Sequence, residues 1–243
     1  MNKDSSPSVK PNLVISPESQ AIHDRIVESI ESLAESNLFP EDGAFVRQYQ
    51  SIMQLLGKYQ DAVISGTDYH VSCGKGCSTC CYHWVEDVYS FEARMIAAYI
   101  RETTPQEVDR IIAICRKDEE QLIMIQEVVD HTISLNRKEI EAEGIDPVDL
   151  LLASFYQLKR PCPLLSPDGI CTIYPLRPLT CRIYVNLSDP HFCDPRYIHD
   201  EEIRTYLLDM QESANALLDD LHGRFDTFEG DTGLRSLLIK CLG

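Results

Sequence analysis

Apolar residues recur at helical spacing along most of the chain, and the breaks in that pattern divide it into helices around one stretch that cannot be helical. Ser16-Pro17-Glu18 reads as a helix start, with Ser as N-cap and Pro in the first helical position. Ile22, Ile26, Val27, Ile30, Leu33 and Ala34 continue one apolar face to about Asn37. After Phe39-Pro40 and the turn Glu41-Asp42-Gly43, a second amphipathic pattern (Phe45, Val46, Tyr49, Ile52, Met53, Leu56, Tyr59, Val63) runs to Ser65-Gly66. Ser90 offers a cap for a third helix through Phe91, Met95, Ile96, Ala98, Tyr99 and Ile100, ending near Thr103. Thr104-Pro105-Gln106-Glu107 has the form of a capping box and opens the longest helical stretch, predicted to run to Gly144. Asp146-Pro147-Val148-Asp149 starts a further helix through Leu150, Leu151, Leu152, Phe155 and Leu158, which delivers the chain to Pro161-Cys162.

Residues 162–196 differ in kind. Pro163, Pro167, Pro175, Pro178, Pro190 and Pro195 forbid long helices there, and Pro167-Asp168-Gly169 predicts a turn between two short extended pieces. A helix from about Asp200 to Leu221 and a short one from Leu234 to Lys240 are expected to close the chain. No internal repeat is visible, and no alternation of strands and helices suggests a parallel sheet. The pattern therefore predicts a mainly α fold, with helices framing a cysteine-rich, loop-rich metal-binding centre that carries a short hairpin. The expected organisation is a loose, disordered tail over 1–15, an N-terminal helical layer over 16–69, a cysteine-cluster metal-binding domain with inserted helices over 70–196, and C-terminal helices over 197–243 packing on it.

At 243 residues and 44% hydrophobic content the chain can bury a substantial core without metal. Its apolar stretches are interrupted by charged residues well short of the roughly eighteen that a membrane span needs. The start, MNKDSSPSVKPNLVISPESQ, is polar and Pro/Ser-rich without an apolar h-region, so it reads as a tail and not as a signal peptide. A cytoplasmic location is expected, where clustered cysteines are more often metal ligands than disulfides. The 22 basic and 39 acidic side chains give a net charge of −17, a field that repels phosphate backbones and anionic membrane surfaces. The expected partner is a protein or a small molecule, with neither nucleic acid nor membrane. Lys75, Lys159, Arg160, Arg177 and Arg182 lie beside the cysteines in sequence, and their best reading is as cations that offset the charge of metal-bound thiolates.

The chemistry lies in those cysteines. Cys73, Cys77, Cys80 and Cys81 fall within nine residues, and Cys162, Cys171, Cys181 and Cys193 form a second, wider group. A soft metal needs about four thiolates to complete its shell, and spacings this tight gather several sulfurs before tertiary folding begins. If the chain is helical from Gly76 onward, Cys77, Cys80 and Cys81 project from one face. Gly74 and Gly76 suit a tight loop in which backbone N–H groups approach the sulfurs. A hairpin about Asp168-Gly169 would set Cys162 and Cys171 face to face, as zinc ribbons present ligands. Cys181 is expected on a single helical turn, and Cys193, in the polar loop from Ser188 to Pro195, has the weakest claim. Cys115 lies in an apolar helix and reads as core, and Cys241 as a free thiol. His70, His83, His191 and His199 read as supporting or surface residues. Trp84, Tyr82, Tyr174 and Tyr184 read as packing that shields the site from water.

The run Cys73-x3-Cys77-x2-Cys80-Cys81, then Pro161-Cys162-Pro163-Leu164-Leu165, Gly169-x-Cys171-x-Ile173-Tyr174 and Arg177-Pro178-x-x-Cys181-Arg182-x-Tyr184, strongly resembles a cysteine-cluster family described as a zinc- or iron-chelating domain. Relatives of that family include flagellin lysine N-methylases. The resemblance covers about residues 70 to 195; it implies a metal or iron–sulfur site and fixes no substrate. Cys73-x3-Cys77-x2-Cys80 also has the spacing with which radical S-adenosylmethionine enzymes hold a four-iron cluster. The strand–helix units of their barrel are missing here, and the second cysteine group has no part in that motif. A conventional methyltransferase fold is unsupported, because no Gly-x-Gly loop follows a strand. Eight candidate thiolates exceed the four of one structural zinc, so an iron–sulfur cluster is favoured over zinc, although two zinc sites would use the same count. Two functions remain open: a redox or substrate-modifying protein, or a non-catalytic zinc-stabilised interaction or metal-handling module. No acid–base pair or nucleophile compels an enzyme, since a metal-bound cysteine is not a free nucleophile.

Overall fold

Helix α1 (Pro17–Glu35) starts as its sequence dictates: the Ser16 hydroxyl accepts the Ser19 N–H at 3.0 Å, and the Ser19 hydroxyl accepts the Ser16 N–H at 2.9 Å. It lies against α2 (Gly43–Ser65), and both turn their apolar stripes inward. The computed structural model describes residues 15–65, 67, 69–74, 76–144, 146–187, 189–194 and 205–243. All but one residue of the expected 1–15 tail lies outside them, as do Lys75, Ser188, Pro195, His199 and the first five residues of the helix expected from Asp200.

Helix α3 (Ser90–Thr103) is buried nearly all round because two cores share it. On one side, Phe91 and Met95 pack with Ile26 and Leu33 of α1, Phe45, Ile52 and Leu56 of α2, and Leu218 and Leu221 of α8 (Glu212–Phe225). On the other side, Ile96 and Ile100 meet Ile111 and Cys115 of α4 (Val108–Leu135) and Leu237 and Leu238 of α9 (Leu234–Leu242), together with Leu164, Ile173 and Leu176 from the Pro-rich segment. Burial of each such side chain is worth about 2 kcal/mol, and the first core contains no cysteine, so the helical frame has a source of stability separate from any metal. Helices α5 (Arg137–Glu143) and α6 (Pro147–Gln157) follow α4, and α6 returns to pack on it. The Asp146 carboxylate caps α6 by accepting the Val148 N–H at 2.7 Å, as the sequence implies. A short turn, α7 (Thr180–Ile183), leads into β1 (Tyr184–Asn186), which pairs antiparallel with β2 (Thr205–Leu207), Val185 opposite Tyr206. The architecture is mainly α, as expected.

Several local expectations give way to competing interactions. Tyr89, not Ser90, occupies the cap of α3, and the Glu92 carboxylate accepts its N–H at 3.1 Å. Thr104 makes no capping box: its hydroxyl donates back to the Ile100 carbonyl, and Glu107 pairs with Arg110, so a 3₁₀ turn over Pro105–Glu107 precedes α4. The long helix breaks at Asn136, whose side-chain amide donates to the Thr132 carbonyl and competes with the backbone ladder. Residues 205–207 form β2 where a helix was expected, because the strand finds a partner in β1 and buries Leu208 beside Ile64 and Val185.

Candidate metal centre

The first cysteine segment is a loop, not a helix face. Gly76 takes φ of +93°, and the Cys77 N–H reaches back to the Gly74 carbonyl at 3.0 Å. A 3₁₀ turn over Thr79–Tyr82 follows. Cys77, Cys80 and Cys81 therefore do not share one helical face; instead Cys80 and Cys81 are neighbours on the 3₁₀ turn. Gly74 and Gly76 do serve a tight turn, as their positions suggested.

This loop is stitched to the second group by backbone and by one side chain that the sequence did not single out. The Cys162 N–H donates to the Cys81 carbonyl at 2.6 Å, joining the two cysteine groups directly. Asn186, on β1 and almost wholly buried, accepts the Ser72 N–H and hydroxyl on its carbonyl, both at 2.8 Å. Its own N–H points at Cys73 Sγ at 3.3 Å, and its Nδ2 donates to Cys193 Sγ at 3.0 Å. Asn186 thus clamps together sulfurs that are 120 residues apart. Cys193 ends a 3₁₀ turn over Pro190–Cys193, and its carbonyl meets His83 Nε2 at 2.9 Å.

The turn about Gly169 forms, with φ of +74°, but Cys171 bridges to Leu165 rather than to Cys162. Cys162 lies three residues further back, where its N–H is committed to Cys81. Cys181 sits on α7, as expected. The preceding backbone is held by Glu92, a wholly buried carboxylate that accepts the Leu179 N–H at 2.7 Å and the Tyr49 hydroxyl at 2.6 Å. Arg182 braces the same loop through the carbonyls of Arg177, Tyr174 and Pro175.

The thiols sense one another. Cys80 lies within electrostatic reach of Cys73, Cys162, Cys171, Cys181 and Cys193 as well as of Cys81, and Cys77 is near Cys73 and Cys193. The hydrogen bond from Cys81 lowers the Cys80 pKa to about 6, with help from Arg177, and the same shared proton pushes Cys81 far up. Burial pushes Cys73, Cys162, Cys171, Cys181 and Cys193 upward. Cys73 and Cys80 are exposed, and the other six are half-buried. Among the described residues, no three His, Cys, Asp or Glu side chains already converge closely enough to enclose an ion.

The other residues divide. Among the described residues the buried Nε of Arg177 has no acceptor, and its charge favours thiolate at Cys73, Cys80, Cys171 and Cys181, which fits an anionic centre. Lys159 instead pairs with Asp194 and covers the Tyr156 ring, while Arg160 pairs with Asp118. His83 lies tilted against the Tyr156 ring, His191 bonds to Asp189, and His70 is exposed. Trp84 is buried against Phe155, but Tyr174 and Tyr184 are 41% and 54% exposed and do not seal the site. Cys115 is core, and Cys241, on α9, packs partly buried against the same core, where burial raises its thiol to about 11. Beside the hairpin, a cleft of about 790 Å³ is lined by residues including Tyr82, Tyr99, Arg110, Pro161, Ser166 and Thr172.

Two cysteine segments joined by the Cys81–Cys162 backbone hydrogen bond, with an Arg177 N–H unpaired among the described residues, suit a soft metal, and the protein is a cysteine-rich metal-binding protein. More specifically, the model of the CxxCxxCC family, described as a zinc- or iron-chelating domain, matches residues 72–205, more than half of the chain, and the chain belongs to that family. No curated protein and no solved structure matches it. Among the described residues no helix is long and apolar enough to cross a membrane.

Proposed function

We propose that Cys73, Cys77, Cys80, Cys81, Cys162, Cys171, Cys181 and Cys193 bind an iron–sulfur cluster and that the protein has a redox or substrate-modifying role. What supports this reading is the joining of the two cysteine segments, by the Cys162 N–H on the Cys81 carbonyl and by Asn186 on both Cys73 Sγ and Cys193 Sγ, with Cys73 and Cys80 exposed. A thiolate-bound cluster supplies one-electron redox chemistry, and its potential is set by charge, hydrogen bonds to sulfur and solvent exposure. The chain's own residues govern each of these: Arg177 brings positive charge, Asn186 brings hydrogen bonds to two sulfurs, and the packed Trp84 limits water on one side. The cleft beside the hairpin falls in the size range of small-molecule sites and is the candidate substrate position. A reducing, cytoplasmic setting suits so many thiols, and the net charge of −17 favours a protein or small molecule over nucleic acid as partner.

A zinc-stabilised module is the second reading, favoured by the turn that carries Cys162 and Cys171 on its two arms. Anaerobic purification followed by metal and acid-labile sulfide analysis separates the two. Brown protein with iron and sulfide in comparable amounts is expected; colourless protein with stoichiometric zinc and no sulfide would overturn the cluster in favour of zinc.

A further inference from the structure

The end of α3 and the start of α4 face the hairpin across a cleft of about 790 Å³. Tyr82, Pro161 and Thr172 of its wall are the chain neighbours of Cys81, Cys162 and Cys171. The hairpin also lies against the cysteine loop, because a Cβ at Gly169 would stand 3.7 Å from Ser78 Oγ. Ile100, Ile111 and Ile173, all buried residues of the core shared with α9, line the cleft. A space of this size with isoleucines along it suits an organic body and not a bare ion.

The polar groups of the lining differ in what they have left to give. The hydroxyls of Thr103, Thr104 and Thr172 donate to the carbonyls of Tyr99, Ile100 and Leu164, so their protons are spent. The Ser166 hydroxyl accepts the Ile170 N–H and keeps its own proton, and those of Tyr82 and Tyr99 have no partner among the described residues. Arg110 and Glu107 are the charged members. Arg110 Nε donates to Glu107 Oε2 at 2.5 Å, and Nη2 turns toward the Pro163 carbonyl at 3.4 Å. Nη1 has no partner among the described residues. A guanidinium carries its N–H donors as a planar fork, so one carboxylate on one edge does not use it up. Glu107 offsets part of the Arg110 charge, but the pair is exposed and screened by water, and the unspent groups of the lining are mostly donors.

We propose that this cleft binds a small carboxylate with an apolar body, the carboxylate on Arg110 Nη1 and the body along Ile100, Ile111 and Ile173. The proposal rests on the cleft being the substrate position of the metal centre, as read above, and names the class of substrate. Carboxylates accept charge-assisted hydrogen bonds from a guanidinium edge, whereas a neutral isostere gives up most of that gain. Tyr82, Tyr99 and Ser166 offer further donors to polar groups elsewhere on such a ligand.

The test is equilibrium dialysis of the full chain, purified anaerobically, against 2-naphthoate and its neutral isostere 2-naphthamide. Metal and acid-labile sulfide are measured on the same samples, and circular dichroism checks folding. One-to-one binding of naphthoate with a Kd of about 1 mM or lower is expected, the strength that so few atoms allow. Naphthamide should bind at least about fivefold more weakly. Arg110→Met is expected to weaken naphthoate about fivefold or more and naphthamide less than about twofold. Glu107→Gln removes a competing acceptor and a like charge, so it should tighten naphthoate about twofold or more. Thr103→Trp, at the exposed rim, should weaken both ligands by about fivefold, which ties the binding to this cleft. Should Arg110→Met fail to fold, Glu107→Gln and the ratio of acid to amide carry the comparison. Equal affinity for acid and amide, naphthoate binding unchanged in folded Arg110→Met, or no saturation below about 10 mM would overturn the proposal whatever metal is bound. Zinc without sulfide would overturn the cluster reading and leave the carboxylate site to stand on these affinities.

Discussion

Replacing Glu92 by methionine removes a buried carboxylate of similar size and leaves its donors facing an apolar chain. The Tyr49 hydroxyl and the Leu179 N–H, at 2.6 and 2.7 Å, would lose their acceptor within the protein interior. Each buried donor stranded in this way costs about 1–3 kcal/mol, so the gross loss is about 2–6 kcal/mol. Part of that is returned, because burial already pushes the Glu92 carboxyl above its usual range and the native state is relieved of desolvating it. The expected net destabilisation is about 2–4 kcal/mol, read from urea unfolding by circular dichroism. The pH dependence follows from the direction of the shift. A carboxyl raised in the folded state gives its full stability below its unfolded value near 4.5, and that stability declines as pH rises toward the folded value. The methionine variant has no such decline, so the cost of the substitution should be larger below about pH 4.5 than at about pH 8. Adding Tyr49→Phe to Glu92→Met should recover about 1 kcal/mol or more, since it removes one stranded donor. A net change below about 0.5 kcal/mol, or strict additivity of the pair, would refute this account of the Glu92 hydrogen bonds.

Three further outcomes are expected. Asn186→Ala should lower metal affinity about 10- to 100-fold, measured by competition with a chelator, because it removes the amide from Cys193 while the backbone N–H to Cys73 remains; unchanged affinity would separate Asn186 from the centre. In metal-free protein at pH 7, brief iodoacetamide treatment and peptide mapping should find Cys80 alkylated first, since a thiol at about 6 is mostly thiolate there; Cys81→Ala should slow it by removing the donor that stabilises that thiolate. Chelation of bound metal should leave most of the helical circular dichroism in place and raise hydrogen exchange at 70–83 and 161–194, because the core between α1, α2, α3 and α8 holds no candidate ligand; global unfolding on chelation would contradict that division.

The helices were legible wherever local signals and tertiary packing agreed. Ser16-Pro17 and Asp146-Pro147 start helices in the structure because cap and proline act within a few residues and need no distant partner. Thr104 to Glu107 carries an equally good local signal and fails, since Arg110 competes for the Glu107 carboxylate. Residues 205–207 were unreadable for another reason: a three-residue strand is decided by its partner β1, some twenty residues away. The same contrast holds at the centre. Cysteine identity and spacing mark the eight candidates, but Asn186 and Glu92 have ordinary sequence surroundings. Only the fold shows that Asn186 reaches two sulfurs and that Glu92 holds the turn before Cys181. Arg160 and Lys159 show the converse, sequence neighbours of a cysteine whose charges are spent on Asp118 and Asp194.

Some of the residues that fix the loops come from α2, which precedes the family's stretch. Tyr49 of α2 reaches Glu92, and through it the turn before Cys181; Gln60 of α2 donates to the Arg182 carbonyl at 3.1 Å and to the Leu208 carbonyl at 2.8 Å. A cysteine loop rich in Gly and Pro has little apolar surface with which to fix its own conformation, so its sulfurs can be held in place only by groups anchored elsewhere. The stable helical core supplies those anchors. Apart from Cys181 on α7, the candidate cysteines can then remain in loops and 3₁₀ turns, with Cys73 and Cys80 at the surface.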